Sequence, residues 1–224
     1  MTIKAKKAMI GYEKKQLFNE RTDMIKNVVF DIGMVLADFR WRKYLSDDLK
    51  FPPEVCREIG EKIVQTTMWD DLDLGVRDAD EVIEEMKSKL PQYRKETDLF
   101  FNGIENIARA YPYSTPWIQD LKSRGYMVYL LSNYPRDYFK LHEKKSFDFV
   151  KYTDGKIVSG FEKLAKPDPR IYKLLFERYS LAPTECVFID DRQINIDAAM
   201  KLGMKTILFT DHDSVRKKLD EMLG

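Results

Sequence analysis

Four separated stretches of the chain carry side chains that could do chemistry together. Asp31 follows an apolar run in Val28-Val29-Phe30-Asp31-Ile32-Gly33-Met34-Val35. Ser132-Asn133 follows Leu130-Leu131, Lys166 opens Lys166-Pro167-Asp168-Pro169, and Asp190-Asp191 follows Phe188-Ile189. Three carboxylates, a hydroxyl and an ammonium make a coherent set if they meet. Asp31 and Asp190 suit a hard divalent cation bound through oxygen, with waters and a phosphate completing the octahedron that magnesium prefers. Such a cation would screen the repulsion between a carboxylate nucleophile and an anionic phosphate. Ser132 and Lys166 would clamp the phosphoryl oxygens as charge moves. Asp31 would attack in line, and water would then cleave the acyl-phosphate.

These residues converge only if the elements that carry them form one sheet. Five short apolar runs, at 28–30, 128–131, 147–152, 186–189 and 206–209, read as strands buried on both faces, as in a parallel sheet. Helical patterns over 116–123, 169–179, 195–202 and 214–223 lie between or after them, with Gly125 and Gly203 placed as C-terminal caps. Alternating strands and helices predict a Rossmann-like, doubly wound α/β sheet. In such sheets ligands bind beyond the carboxyl ends of the strands, where all four stretches fall. The interval between Asp38 and Tyr113 shows no strand. It shows helical patterns over 53–65, 78–90 (with Asp78 as an N-cap) and 97–110, and it is far longer than an ordinary loop. It predicts an inserted helical cap over 40–110, with the core over 27–39 and 111–224.

Composition sets the outer bounds. The chain has 224 residues, 44% hydrophobic and 33% charged, as in an ordinary globular protein. With 38 basic and 37 acidic residues, net charge +1, nothing favours nucleic acid or an anionic membrane surface as a partner. Cys56 and Cys186 lack metal-type spacing and read as buried thiols of a reducing compartment. With no membrane-length apolar run and no signal-peptide pattern, the expectation is a cytoplasmic protein, as monomer or homodimer. Residues 1–26 are basic and read as an extension ahead of the domain.

The ordered set Asp31-x-Gly33-x-Val35, Ser132-Asn133, Lys166-Pro167 and Asp190-Asp191 resembles the four motifs of the haloacid dehalogenase superfamily. The resemblance runs from about Met24 to the end of the chain. It is especially similar to the subgroup containing sugar-1-phosphate phosphatases and the phosphatase domain of soluble epoxide hydrolases. Each motif alone is weak; four in order are specific. The resemblance implies a magnesium-dependent phosphatase of small phosphorylated metabolites, with a sugar phosphate as the expected substrate. Asp31 is then the nucleophile, and Ser132, Asn133 and Lys166 bind phosphate, with Ser132 and Lys166 also serving catalysis. The metal ligands are the carboxylates of Asp31, Asp190 and Asp191 and the backbone carbonyl of Gly33. Residues 32–39 would form a mobile turn beside the site, and the helical insert would close over the substrate.

One position departs from that pattern. Most phosphatases of the superfamily carry a second Asp two residues after the nucleophile as general acid and base, and here Gly33 stands there. Such a group is typically worth ~10²–10⁴-fold. Asp38 could substitute, although a turn-capping role suits it better. Two rivals follow: a metal-independent carbon–halogen hydrolase on the same scaffold, and a non-catalytic binding module. His142 and His212 read as surface histidines, and Asn195 as a tie between the last motif and its helix. Arg40, Arg42, Arg136 and Arg192 read as solvated. Trp41, Trp69 and Tyr134 are candidates to line the cap interface, with Met68 and Trp69 as cap core.

Overall fold

The computed structural model describes residues 24–224, so most of the basic 1–26 extension lies outside the described residues. Five strands form one parallel sheet: β1 Asn27–Phe30, β4 Met127–Ser132, β5 Gly155–Val158, β6 Cys186–Asp190 and β7 Lys205–Leu208. Their order is β5-β4-β1-β6-β7, so the chain leaves the central β1 first toward one edge and later toward the other. This is the doubly wound architecture the alternation predicted. Two short strands, β2 Ala37–Phe39 and β3 Ala108–Ala110, pair antiparallel as a separate ribbon.

Successive strand residues point to opposite faces, and both faces are covered. Val28 and Phe30 pack with Trp117, Leu121, Val215 and Leu219. These belong to α6 (Ser114–Ser123) and α11 (His212–Leu223). Val29, Leu131 and Phe188 pack on the other side with Ile171, Leu175 and Ile196, from α9 (Pro169–Tyr179) and α10 (Gln193–Lys201).

Between β2 and β3 the chain is helical. Its elements are α1 (Trp41–Lys43), α2 (Pro53–Ile59), α3 (Thr67–Leu74), α4 (Ala79–Ser88) and α5 (Arg94–Asn102), with single π and 3₁₀ turns between them. Asp78 caps α4, its carboxylate accepting from Asp80 N at 3.0 Å and Glu81 N at 3.2 Å. At the far end of α3, Gly75 has φ +65°, and a Cβ there would lie 2.6 Å from Gly160 O. Gly160 is equally tight, with Arg136 N 2.4 Å from a notional Cβ. Backbone therefore meets backbone where α3 touches the core, and Ser159 Oγ adds a hydrogen bond to Asp73 O.

Four expectations are corrected. The run 147–152 is not a strand: Asp148–Tyr152 is a 3₁₀ helix, and the edge strand is β5, eight residues later in onset. Phe147, Phe149 and Val150 are apolar because they fill the core. The interval 38–113 does contain strands, but three-residue strands give too little alternation to read. His142 is wholly buried on α7 (Arg136–Lys145), where its Nδ1 is 2.9 Å from the Tyr134 hydroxyl and burial lowers its pKa. Cys186 is buried, but Cys56 is only partly so. No helix among the described residues is long and apolar enough to cross a membrane.

Trp117 is the largest wholly buried side chain, and its ring meets Phe30 edge-on at 4.8 Å, one residue before Asp31. Trp117→Ala is expected to cost about 3–5 kcal/mol of unfolding free energy, measured as a lowered urea midpoint with an unchanged m-value.

Candidate active site

The register of the central strands brings the two aspartates side by side. Phe30 pairs with Ile189, and Asp31 N donates to Ile189 O at 2.9 Å. Asp31 and Asp190 are therefore level at the carboxyl edge. On the other side Phe30 pairs with Leu130, which brings Ser132 to the same edge. The turn after Asp31 is closed by bonds from Leu36 N and Ala37 N to Ile32 O at 2.9 and 2.8 Å. Ser114 Oγ on Leu36 O at 2.6 Å and Tyr113 Oη on Val35 O at 2.8 Å hold it from outside. The left-handed residue of this turn is Met34, with φ 58°, not Gly33.

Lys166 joins the set through Asn133. The Asn133 side chain donates to Lys166 O at 2.9 Å and accepts from Lys166 N at 2.8 Å. That clasp fixes the segment ending at the cis Lys166–Pro167 peptide. The Lys166 ammonium sits 2.8 Å from Asp31 Oδ1 and 2.7 Å from Asp190 Oδ2. Asp190 also accepts from Asn195 Nδ2, at 3.0 and 3.1 Å to its two oxygens, and from Arg192 N at 2.8 Å. Asn195 thus ties the last motif to α10, and Tyr172 Oη on Asn195 O at 3.0 Å holds it in turn.

Electrostatics follow from burial. Loss of water pushes the Asp31 carboxyl up to about 6; Lys166 opposes the rise and Asp190 adds to it. Burial likewise raises Asp191, with Asp190 contributing. For Lys166, burial works against the charge, but Asp31 and Asp190 together hold it above its ordinary value. Ser132 is 1% exposed, and its hydroxyl has no well-aligned hydrogen-bond partner. Ser132 does not itself line the cavity over this edge; its hydroxyl lies beside the Asp31 carboxyl and helps to hold that pKa down.

Asp31, Asp190 and Asp191 each bring one oxygen within 4.8 Å of the others. An all-oxygen anionic cluster fits a hard cation such as magnesium and offers no nitrogen or sulfur to a softer one. The residues present fit the metal that the motifs imply.

A cavity of about 190 Å³ opens over this edge. Asp31, Gly33, Asn133, Lys166, Asp191, Arg192 and Asn195 line it from the core. Phe39, Trp69, Ile107, Tyr134 and Tyr138 also line it, together with Asp73 of α3. Trp69 and Tyr134 lie where the sequence suggested, but Trp41 does not line this cavity and packs instead against Gly60. Arg192 faces the cavity, while Arg40 pairs with Asp48 at 2.6 Å and Arg136 with Asp137 at 3.3 Å. Asp38 does not line the cavity. His212 stacks on Tyr113 with ring centres 4.1 Å apart. Asp73 and Tyr138 were missed because an acid at a helix end and a tyrosine next to a charged pair carry no motif.

The fold and this edge define a family. The sequence matches the haloacid dehalogenase-like hydrolases over residues 25–203, and the chain belongs to that family. It is 29% identical over 216 residues to the D-ribitol-5-phosphate phosphatase of Bacteroides thetaiotaomicron, covering 90% of this chain and 100% of the relative. It is 24% identical over 199 residues to the sesquiterpene phosphatase astK of Aspergillus oryzae, covering 89% and 97%. A haloacid dehalogenase family enzyme of Bacteroides thetaiotaomicron, crystallised with magnesium and inorganic phosphate, superposes with a TM-score of 0.68 at 25% identity, over 85% of this chain and 98% of that one. The chain is a hydrolase by family, and the ribitol-phosphate and sesquiterpene relatives are phosphatases.

Lys166 is the only ammonium in salt-bridge contact with Asp31 and Asp190 among the described residues. Lys166→Met leaves both carboxylates buried without it, and unfolding free energy in chelator should fall by about 3–5 kcal/mol. Urea titration checks this, and added magnesium should recover part of the loss.

Proposed function

We propose that the chain is a magnesium-dependent phosphomonoesterase of small phosphorylated metabolites, with Asp31 as nucleophile. The observation that carries this reading is the convergence of the Asp31, Asp190 and Asp191 carboxylates within 4.8 Å, with Lys166 between two of them. Asp31, Asp190, Asp191 and the Gly33 carbonyl would hold magnesium, which supplies charge neutralisation around the phosphoryl group. Ser132 and the Lys166 ammonium would bind phosphoryl oxygens. Asn133 serves phosphate through its hold on Lys166, since its side chain is engaged with that backbone.

In the first step an Asp31 carboxylate oxygen bonds to phosphorus as the bond to the leaving oxygen breaks. In the second, water attacks phosphorus and the bond to Asp31 breaks, freeing phosphate. The segment 40–110 acts as the cap over this chemistry, and its aromatic wall excludes water from the acyl-phosphate until it is due.

The cavity is smaller than the ~300–1,000 Å³ of drug-sized sites, which suits a phosphoryl group on a compact alcohol. A sugar or sugar-alcohol phosphate is the first candidate, supported by the ribitol-phosphate relative. The wall of Phe39, Trp69, Ile107 and Tyr138 favours a second candidate, a phosphate of an apolar alcohol, which the sesquiterpene phosphatase relative also supports. The anionic cluster disfavours the metal-independent carbon–halogen hydrolase, because such a reaction has no use for three converging carboxylates.

A phosphate-release screen over sugar phosphates, sugar-alcohol phosphates and isoprenyl monophosphates, with and without magnesium, tests the reading. Turnover should need the metal, and Asp31→Asn should abolish it. Wild-type rates in Asp31→Asn, or halide release that survives chelation, would remove the mechanism.

A further inference from the structure

The proposed phosphatase reaction lacks a proton donor for the leaving oxygen at the customary place. Gly33 is not there for backbone reasons: its φ is not left-handed, and a Cβ added to it would meet nothing within 4 Å. The room for an acid exists, but the acid does not. Among the described residues, the carboxyls that line the cavity are Asp31, Asp191 and Asp73. The first two belong to the anionic cluster, which leaves Asp73 uncommitted.

Asp73 is held in place from the core. It lies one residue from the end of α3, and its carbonyl accepts from Ser159 Oγ, which in turn accepts from Tyr134 N at 2.9 Å. Two residues on, Gly75 presses against Gly160 backbone. The backbone of Asp73 is thus held at the cavity by contacts that do not engage its carboxyl.

We propose, building on the phosphatase reading, that Asp73 is the general acid and base of this enzyme, supplied from the helical segment across the cavity in place of the acid absent at Gly33. In the first step the Asp73 carboxyl gives its proton to the leaving oxygen as the phosphorus–oxygen bond breaks and the Asp31–phosphorus bond forms. In the second, the Asp73 carboxylate takes a proton from the attacking water as its oxygen bonds to phosphorus and Asp31 departs. Protons balance over the cycle, and Asp73 ends as it began.

The surroundings suit a donor at neutral pH. Burial pushes the Asp73 carboxyl up to about 8; Asp70 and Asp31 add to the rise, and Lys166 and Arg192 oppose it. An acid near ambient pH is the efficient kind. Tyr138 on the same wall is a poorer source, since burial raises its phenol far above neutrality.

The test is the dependence of kcat/KM on the leaving group for p-nitrophenyl, phenyl and benzyl phosphate, measured on wild type and Asp73→Asn. Nitrophenolate leaves without a proton, whereas benzyl alkoxide does not. Asp73→Asn should lose about 10²–10⁴-fold on benzyl phosphate and at least tenfold less on p-nitrophenyl phosphate. Both substrates are read on one protein sample, so a reduced folded fraction cancels from the ratio. Adding Gly33→Asp to Asp73→Asn should restore at least tenfold on benzyl phosphate. Equal losses on all three esters, or none, with an active wild type would overturn the role of Asp73 alone. A wild type that hydrolyses none of the three would bring down the phosphatase reading with it.

Discussion

The crowding of negative charge at the carboxyl edge of the central strands is the constraint from which the rest follows. Two unit charges within 4.8 Å of each other repel by at least about 3 kcal/mol at an effective dielectric near 20. Asp31, Asp190 and Asp191 contain three such pairs, and two of the three residues are buried. One ammonium, Lys166, faces them at close range. Three negative charges against one positive leave a deficit that a divalent cation would close. Two members of the set are held in place by several hydrogen bonds each. Asp190 is gripped by Lys166, Asn195 and the Arg192 amide, and Lys166 is gripped through its backbone by Asn133.

A parallel sheet is what allows side chains from distant parts of the chain to crowd this way. In β4, β1 and β6 the strands run together, so their carboxyl ends form one line. The chain turns outward in opposite directions on either side of β1, and the helices that follow diverge. The gap left between them is the crevice in which such folds bind ligands. The apolar residues of β1 secure this from below: Val28 and Phe30 are pinned to one layer and Val29 to the other, so Asp31 cannot slip by one residue without reversing the strand's two faces.

Much of this edge was legible because its residues sit in short runs beside strong strand signals. Asp31, Ser132, Lys166 and Asp190 each follow an apolar stretch or precede a proline-started helix, and a period of two or 3.6 can be read on either side. The edge strand was misplaced because Phe147, Phe149 and Val150 look like a strand while serving as core plugs from a 3₁₀ turn. The ribbon β2–β3 escaped notice because three residues make too short a pattern, and its partners are about seventy positions apart. His142 reads as polar in a charged helix, yet it is buried because Tyr134 offers its Nδ1 a hydrogen-bond partner. The cavity's far wall depends on how the helical segment docks, and that rests on Gly75 meeting Gly160, a contact with no local sequence signature.

The docking also bears on where a proton donor can work. An acid at position 33 would stand two residues from Asp31, beside the cluster, with room for its side chain. An acid on α3 sits across the cavity. There burial and the nearby carboxylates of Asp70 and Asp31 raise its pKa. Separating the proton donor from the charge-binding cluster lets each carboxyl keep the protonation state its task needs: Asp31 ionised to attack, Asp73 protonated to assist departure. The same separation makes the chemistry depend on the helical segment being seated, because the backbone contacts that hold α3 on the core are the ones that place Asp73.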